Sequence, residues 1–184
     1  NFFAEYVNRA PTLVMEHPHL VKKVVFPLET LPWVSLLSCL MGLLVATCVL
    51  LLLSLLGMGY VPVTAIALWL VWLPLLPLCL GLGWALAALG AFVRDVGQVL
   101  SMVMSALVFV SPVFFPIHVL PKVAQDWMWL NPLAGPMTQT RQVVLEGVWP
   151  DWTLWSTSMV TGLVAALLGA WLFNKLRPGF ADVL

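Results

Sequence analysis

The sequence predicts an all-α integral membrane protein, a helical bundle with interfacial or re-entrant helices at one end. Three observations carry this. Of the 184 residues 62% are hydrophobic and 9% charged, where about a quarter of an ordinary soluble domain is charged. Thr30 to Val93 contains no Asp, Glu, Lys or Arg; as one helix it would extend about 96 Å against a hydrocarbon core of about 30 Å, so it must turn back. The few cations are also uneven: Arg9, Lys22, Lys23, Arg94, Lys175 and Arg177 fall on one side of the resulting topology, and Lys122 and Arg141 on the other.

Asn1 to Ala10 lacks the charged start and short apolar core of a signal peptide. With no Met at its start and Phe2, Phe3, Tyr6 and Val7 along one face, it reads as the inner end of an earlier helix in a chain whose beginning is missing. The stretch "EHPHLVKKVVFPLETLPW", Glu16 to Trp33, follows. Its Leu20, Val21 and Val24 are interleaved with Glu16, His17, His19, Lys22 and Lys23, the pattern of a short amphipathic helix lying along a membrane. Pro27 and Pro32 break it from the next span. Lys22 and Lys23 either anchor a helix end among headgroups or belong to a docking helix for a soluble partner.

The uncharged run turns at "GMGYVP", Gly57 to Pro62, giving spans over about 31–56 and 63–92, the second eased by Pro74 and Pro77. "RDVGQ" is a short charged break before a third span over 99–115. Residues 116–151 mix five prolines, Pro116, Pro121, Pro132, Pro136 and Pro150, with Trp127, Trp129 and Trp149. Leu120, Ala124, Trp127 and Leu130 fall at helical spacing, as do Met137, Thr140, Val144 and Leu145, so two short interfacial or re-entrant helices are expected. A last span covers Trp152 to Asn174 and leads into the tail "KLRPGFADVL". The chain thus divides into 1–30, 31–115, 116–151 and 152–184 within one transmembrane domain. By the positive-inside rule the tail and the opening stretch face the cytosol and the Trp-rich segment faces outward.

Several functions are disfavoured. Eight Lys plus Arg balance eight Asp plus Glu, which speaks for neither nucleic acid nor a polybasic anchor. Cys39, Cys48 and Cys79 lie in apolar runs without a neighbouring His or carboxylate and read as small buried hydrophobes. His17 and His19 lack a third metal ligand. There is no nucleophile with a base, no pair of carboxylates in the spans and no GxxxxGK[ST] phosphate loop, so this is not an enzyme and the energy of any active process comes from a partner. Spans without internal charge also exclude a proton or ion pump built on buried carboxylates.

"LVKKVVFPLETLP", "ALGAFVRDVGQVL", "SPVFFP", "LNPL" and the terminal "RPGFADVL" occur in one order over Glu16 to Leu184. In this they resemble the permease subunit of ABC-2 type polysaccharide exporters, the class that moves O-antigen, capsule or teichoic acid chains. The resemblance implies a six-span bacterial inner-membrane subunit acting as a homodimer, with a separate ATPase subunit on the cytoplasmic side of each half. ATP and Mg would belong to that partner, and none is expected to be bound by this chain. The cargo would be a lipid-linked polysaccharide, as in lipopolysaccharide biosynthesis. The resemblance places a coupling helix at Met15 to Phe26, giving Glu16, His17, Leu20, Lys22, Lys23, Phe26 and Pro27 as the contact with the ATPase.

Further candidates follow. Arg94 and Asp95 either stop two helices at the interface or, since the family has an "RD" here, fix the inner mouth or contact the ATPase. Trp33, Trp127, Trp129, Trp149, Trp152, Trp155 and Trp171 fit aromatic belts. Trp69, Trp72 and Trp84 lie on roughly a 120° arc of the second span and are candidates for a glycan path, or for burial against a neighbouring helix. Pro112, Phe114, Phe115 and Pro116, where the third span leaves the membrane, are expected to form an outer gate or a packed helix end. Arg141 and Glu146 are spaced for a surface ion pair, and Gly81 and Gly83 hint weakly at helix association. Competing functions are a drug or lipid exporter of the same helix plan and a membrane scaffold without a transport role.

Overall fold

A computed structural model describes residues 2–16, 28–93, 95–110, 131 and 133–180. All regular elements among them are helical. These are α1 (Phe2–Arg9), α2 (Thr30–Met58), α3 (Leu68–Trp72), α4 (Leu75–Phe92), α5 (Val96–Val110), α6 (Ala134–Arg141) and α7 (Trp152–Leu176). Single 3₁₀ turns cover Ala10–Thr12, Val63–Ala67 and Arg177–Gly179, and α6 runs on into a π turn, Gln142–Glu146. Three helical stretches are long and apolar enough to cross a membrane, Thr30–Gly57, Val63–Phe92 and Trp152–Gly179; Val96–Leu107 is a shorter apolar one.

The punctuation has local causes. α2 ends because Gly59 takes φ +75, a conformation open to glycine, and its N–H closes on the Leu55 carbonyl at 2.9 Å. Residues 63–92 are interrupted at Leu73 and Pro74, since Pro74 has no N–H to continue the ladder, and α4 restarts at Leu75. Pro77 falls in the first turn of α4, where no intrahelical partner for an N–H exists.

α7 begins at an Asp151 cap. The carboxylate accepts from the Thr153 hydroxyl at 2.5 Å, from the Thr153 N–H at 2.9 Å and from the Leu154 N–H at 3.5 Å. The bonds from the Thr153 hydroxyl and amide, with a smaller contribution from the Leu154 N–H, hold this exposed carboxyl below its usual range. A depressed folded-state pKa contributes stability above the ordinary carboxylate pKa, and this is lost as pH falls through the depressed value. Asp151→Ala is therefore expected to lower the thermal stability of the detergent-solubilised protein near neutral pH. The gap to wild type should close as the solution is acidified, and an unchanged gap would contradict the capping role.

α4 and α7 make the most extensive helix contact among the described residues and run parallel. Small residues set this packing. A Cβ at Gly81 would strike the Ala165 carbonyl, one at Gly169 the Gly81 carbonyl, and one at Gly162 would lie 2.7 Å from the Pro74 carbonyl oxygen. Gly83 faces the Tyr6 ring and Gly90 the Pro11 backbone, so α1 and its turn lie alongside α4. Gly81 and Gly83 are thus used within the chain, not displayed for a second copy.

Tyr6 is fully buried and donates to the Pro32 carbonyl at 3.3 Å, joining α1 to the start of α2. The main core gathers Phe2, Phe3, Tyr6, Leu36, Cys39, Leu75, Cys79 and Met104 from α1, α2, α4 and α5. Cys39 and Cys79 are buried as expected, but Cys48 is exposed on a face of α2 that no other described residue covers. At one end of the bundle lie Val14, Leu28, Leu31, Ala91 and Phe180. The other end holds the Thr64 hydroxyl, which donates to the Val143 carbonyl at 2.7 Å, and Trp155, whose Nε1 donates to the Leu70 carbonyl at 2.6 Å.

Candidate functional site

Two places in the fold bear on function, one at each end. At the first, the chain on either side of 17–27 is rooted in a single cluster. Leu13 and Val14 lead into that segment, and Leu28 and Leu31 lead out of it. Val14, Leu28 and Leu31 are buried together with Ala87, Ala88 and Ala91 of α4 and Phe173 of α7. The Glu29 carbonyl also accepts the Trp84 Nε1–H at 3.1 Å. Glu16 projects from the rooted turn, with its N–H on the Thr12 carbonyl at 2.8 Å and its side chain exposed. His17, Leu20, Lys22, Lys23, Phe26 and Pro27 lie outside the described residues. Both flanks of 17–27 are therefore packed directly on α4 and α7.

Asp95 is exposed in the turn before α5, and its carbonyl accepts the Gln98 and Val99 N–H groups. A carboxylate at a helix start complements the positive end of the helix dipole. Arg94 lies outside the described residues, as do Pro112, Phe114, Phe115 and Pro116.

Toward the other end a cavity of about 850 Å³ opens between α1, α2, α4 and α6. Its walls are mainly apolar, among them Phe3, Leu43 and Trp72, and its polar groups are Glu5, Thr140 and Arg141. Trp72 is fixed there by an Nε1–H bond to the Thr140 hydroxyl at 3.0 Å, and Thr140 donates in turn to the Pro136 carbonyl at 2.7 Å.

The three tryptophans that share an arc in sequence do not share an environment. Trp72 lines the cavity. Trp69 is half-exposed and meets Trp72 edge-on, with centroids 6.0 Å apart. Trp84 lies at the opposite end, bonded to Glu29 and edge-on to Trp33 at 6.2 Å. Pro74 interrupts the helix between Trp72 and Trp84, so a single 100° rotation per residue does not carry through.

Sequence reasoning missed Glu5. Phe2, Phe3, Tyr6 and Val7 form the packed face of α1, and Glu5, beside it, lines the cavity together with Phe2, Phe3 and Arg141. The signal was present as a lone carboxylate on the polar side of an amphipathic turn. The ion pair expected between Arg141 and Glu146 is not formed; among the described residues the ion pair is Arg177 with Glu29. His, Cys, Asp and Glu form no group of three able to hold a metal among the described residues.

Described residues that are all helical in their regular elements, with three helices long and apolar enough to cross a membrane and a cavity lined by Trp72 near one end, define a multi-pass membrane protein. The family model for the ABC-2 type transporter matches residues 1–145. The chain belongs to that family, and its relatives include permeases of polysaccharide exporters. It is 25% identical over 104 residues to an O-antigen export system permease protein RfbA of Klebsiella pneumoniae, covering 56% of this chain and 40% of that one. A second RfbA of the same organism is 22% identical over 189 residues, covering all of this chain and 71% of its own length. The polysialic acid transport protein KpsM of Escherichia coli is 25% identical over 146 residues, covering 79% of this chain and 57% of its own. The chain thus spans about half the length of the first RfbA and of KpsM.

Proposed function

We propose that this chain is the channel-forming permease subunit of an ATP-driven exporter that moves a lipid-linked polysaccharide across the bacterial inner membrane. Two copies enclose the path. A separate ATPase subunit, carrying ATP and Mg, docks on Glu16 to Pro27 from the cytosolic side, where the tail also lies. Arg94 and Asp95 sit at the inner mouth, and Pro112, Phe114, Phe115 and Pro116 at the outer gate.

The observation that carries this reading is the rooting of both flanks of 17–27 in the α4–α7 packing, through Val14, Leu28 and Leu31. A loop that only rested on headgroups would need no such base. The exporter names of the relatives support the polysaccharide class. The cavity favours a second reading of the cargo, since walls dominated by Phe3, Leu43 and Trp72 suit an acyl chain or a drug as well as a sugar.

The test is deletion of the gene in its native host, with blots for surface polysaccharide and for lipid-linked glycan retained inside. Loss outside with accumulation inside, reversed by the intact gene, is the expected result. Unchanged glycan in both places would move the assignment to drug or lipid cargo.

A further inference from the structure

Beyond α7 the chain continues in helical geometry through the Arg177–Gly179 turn, and Phe180 packs beside both flanks of 17–27. Phe180 is fully buried between Phe173, at 5.5 Å between ring centroids, and Phe92, at 5.8 Å. It shares one cluster with Val14 on one flank of the segment and with Leu28 and Leu31 on the other. Gly179 passes so close to the Phe92 ring that a Cβ there would lie 3.1 Å from it. α7 proper ends at Leu176, and Arg177, the first residue of the following 3₁₀ turn, reaches Glu29, its guanidinium donating to Oε1 at 3.0 Å.

We propose that Arg177 to Phe180 is a positioning clasp that holds the α2 end of the coupling segment against α4 and α7. The inference rests on the coupling reading of 17–27. Glu29 is the N-cap of α2, and Pro32, expected to break the chain from the span, lies instead in the first turn of α2, where its missing N–H costs nothing; the boundary between the segment and the rigid helix therefore falls at Glu29, just after Pro27. Two ties cross this point. The Trp84 indole holds the Glu29 backbone, and Arg177 holds its side chain. The ion pair is nearly half-exposed on both sides, so its energy is small. Its value is geometric, because it joins residues that are far apart in sequence at this boundary. Phe180 supplies the burial that keeps Arg177 in reach. With the clasp closed, a push on the segment moves α4 and α7; with it open, the push bends the chain at this boundary.

The experiment uses the full-length protein with its ATPase in proteoliposomes. Retained ATPase, ATP hydrolysis and glycan translocated per ATP are measured for wild type, Phe180→Ala, Arg177→Glu and the swap Arg177→Glu with Glu29→Arg. Both single variants should retain the ATPase and its hydrolysis while glycan per ATP falls about five-fold for Phe180→Ala and about two-fold for Arg177→Glu. The swap should restore the ratio. Glycan per ATP unchanged in both single variants, or no recovery in the swap, overturns the clasp. Loss of ATPase retention in Arg177→Glu also overturns it, making the tail a direct contact. Size-exclusion profiles separate misfolding of Phe180→Ala from uncoupling, and the charge swap leaves the aromatic cluster untouched. Failure of the wild type to retain the ATPase would instead reject the coupling reading itself.

Discussion

Gly169→Leu will abolish accumulation of the folded protein in the membrane. A Cβ at this position runs into the carbonyl of Gly81, and the neighbouring contact at Gly162 is again with backbone, the Pro74 carbonyl. Overpacking a core typically costs about 1–3 kcal/mol when side chains can shift. Here the obstacle is main chain in the most extensive helix pair of the fold, so the cost lies at or above the upper end of that range, a large part of a typical total stability of about 5–15 kcal/mol. Gly57 is the control, because nothing lies within 4 Å of its Cβ position. Fluorescence-detected size exclusion of tagged variants should show no monodisperse peak for Gly169→Leu and a wild-type peak for Gly57→Leu. Equal peaks would mean that α4 and α7 do not pack through these glycines.

The second large effect falls on the partner, not on the fold. Reversing both charges in Lys22→Glu/Lys23→Glu should release the ATPase while leaving the membrane domain intact. Losing two attractions and gaining two repulsions at a docking contact is worth about 3 kcal/mol, over a hundredfold in Kd. Pull-down of the ATPase on tagged full-length protein, with the size-exclusion profile recorded in parallel, checks both halves. Undiminished retention would point to headgroup anchoring, or to a scaffold whose partner binds elsewhere.

Helix content and the main turns were legible because their causes are local. A run without charge from Thr30 to Val93 has to fold back, and Gly59 marks where. The uneven placement of Lys and Arg was equally readable. What the sequence hid depends on contact between distant parts. Gly81 hints weakly at helix association in sequence, and in the fold its partner is α7 of the same chain. The Trp69, Trp72 and Trp84 stripe assumed an unbroken helix; Pro74 separates Trp69 and Trp72, an outer neighbour and a cavity wall in α3, from Trp84, a brace on Glu29 in α4. Glu5 and Arg177 were each visible as lone charges. Only the fold turns one into the cavity beside Arg141 and brings the other to Glu29.

The most direct measurement is of transport itself. Inverted membrane vesicles containing the full-length protein and its ATPase are supplied with radiolabelled lipid-linked glycan, and glycan protected from an added glycosidase is counted with and without ATP. Protection that requires ATP, and that disappears in Lys22→Glu/Lys23→Glu vesicles, is the predicted result. Steady ATP hydrolysis with the glycan still fully digested would contradict polysaccharide export through this chain.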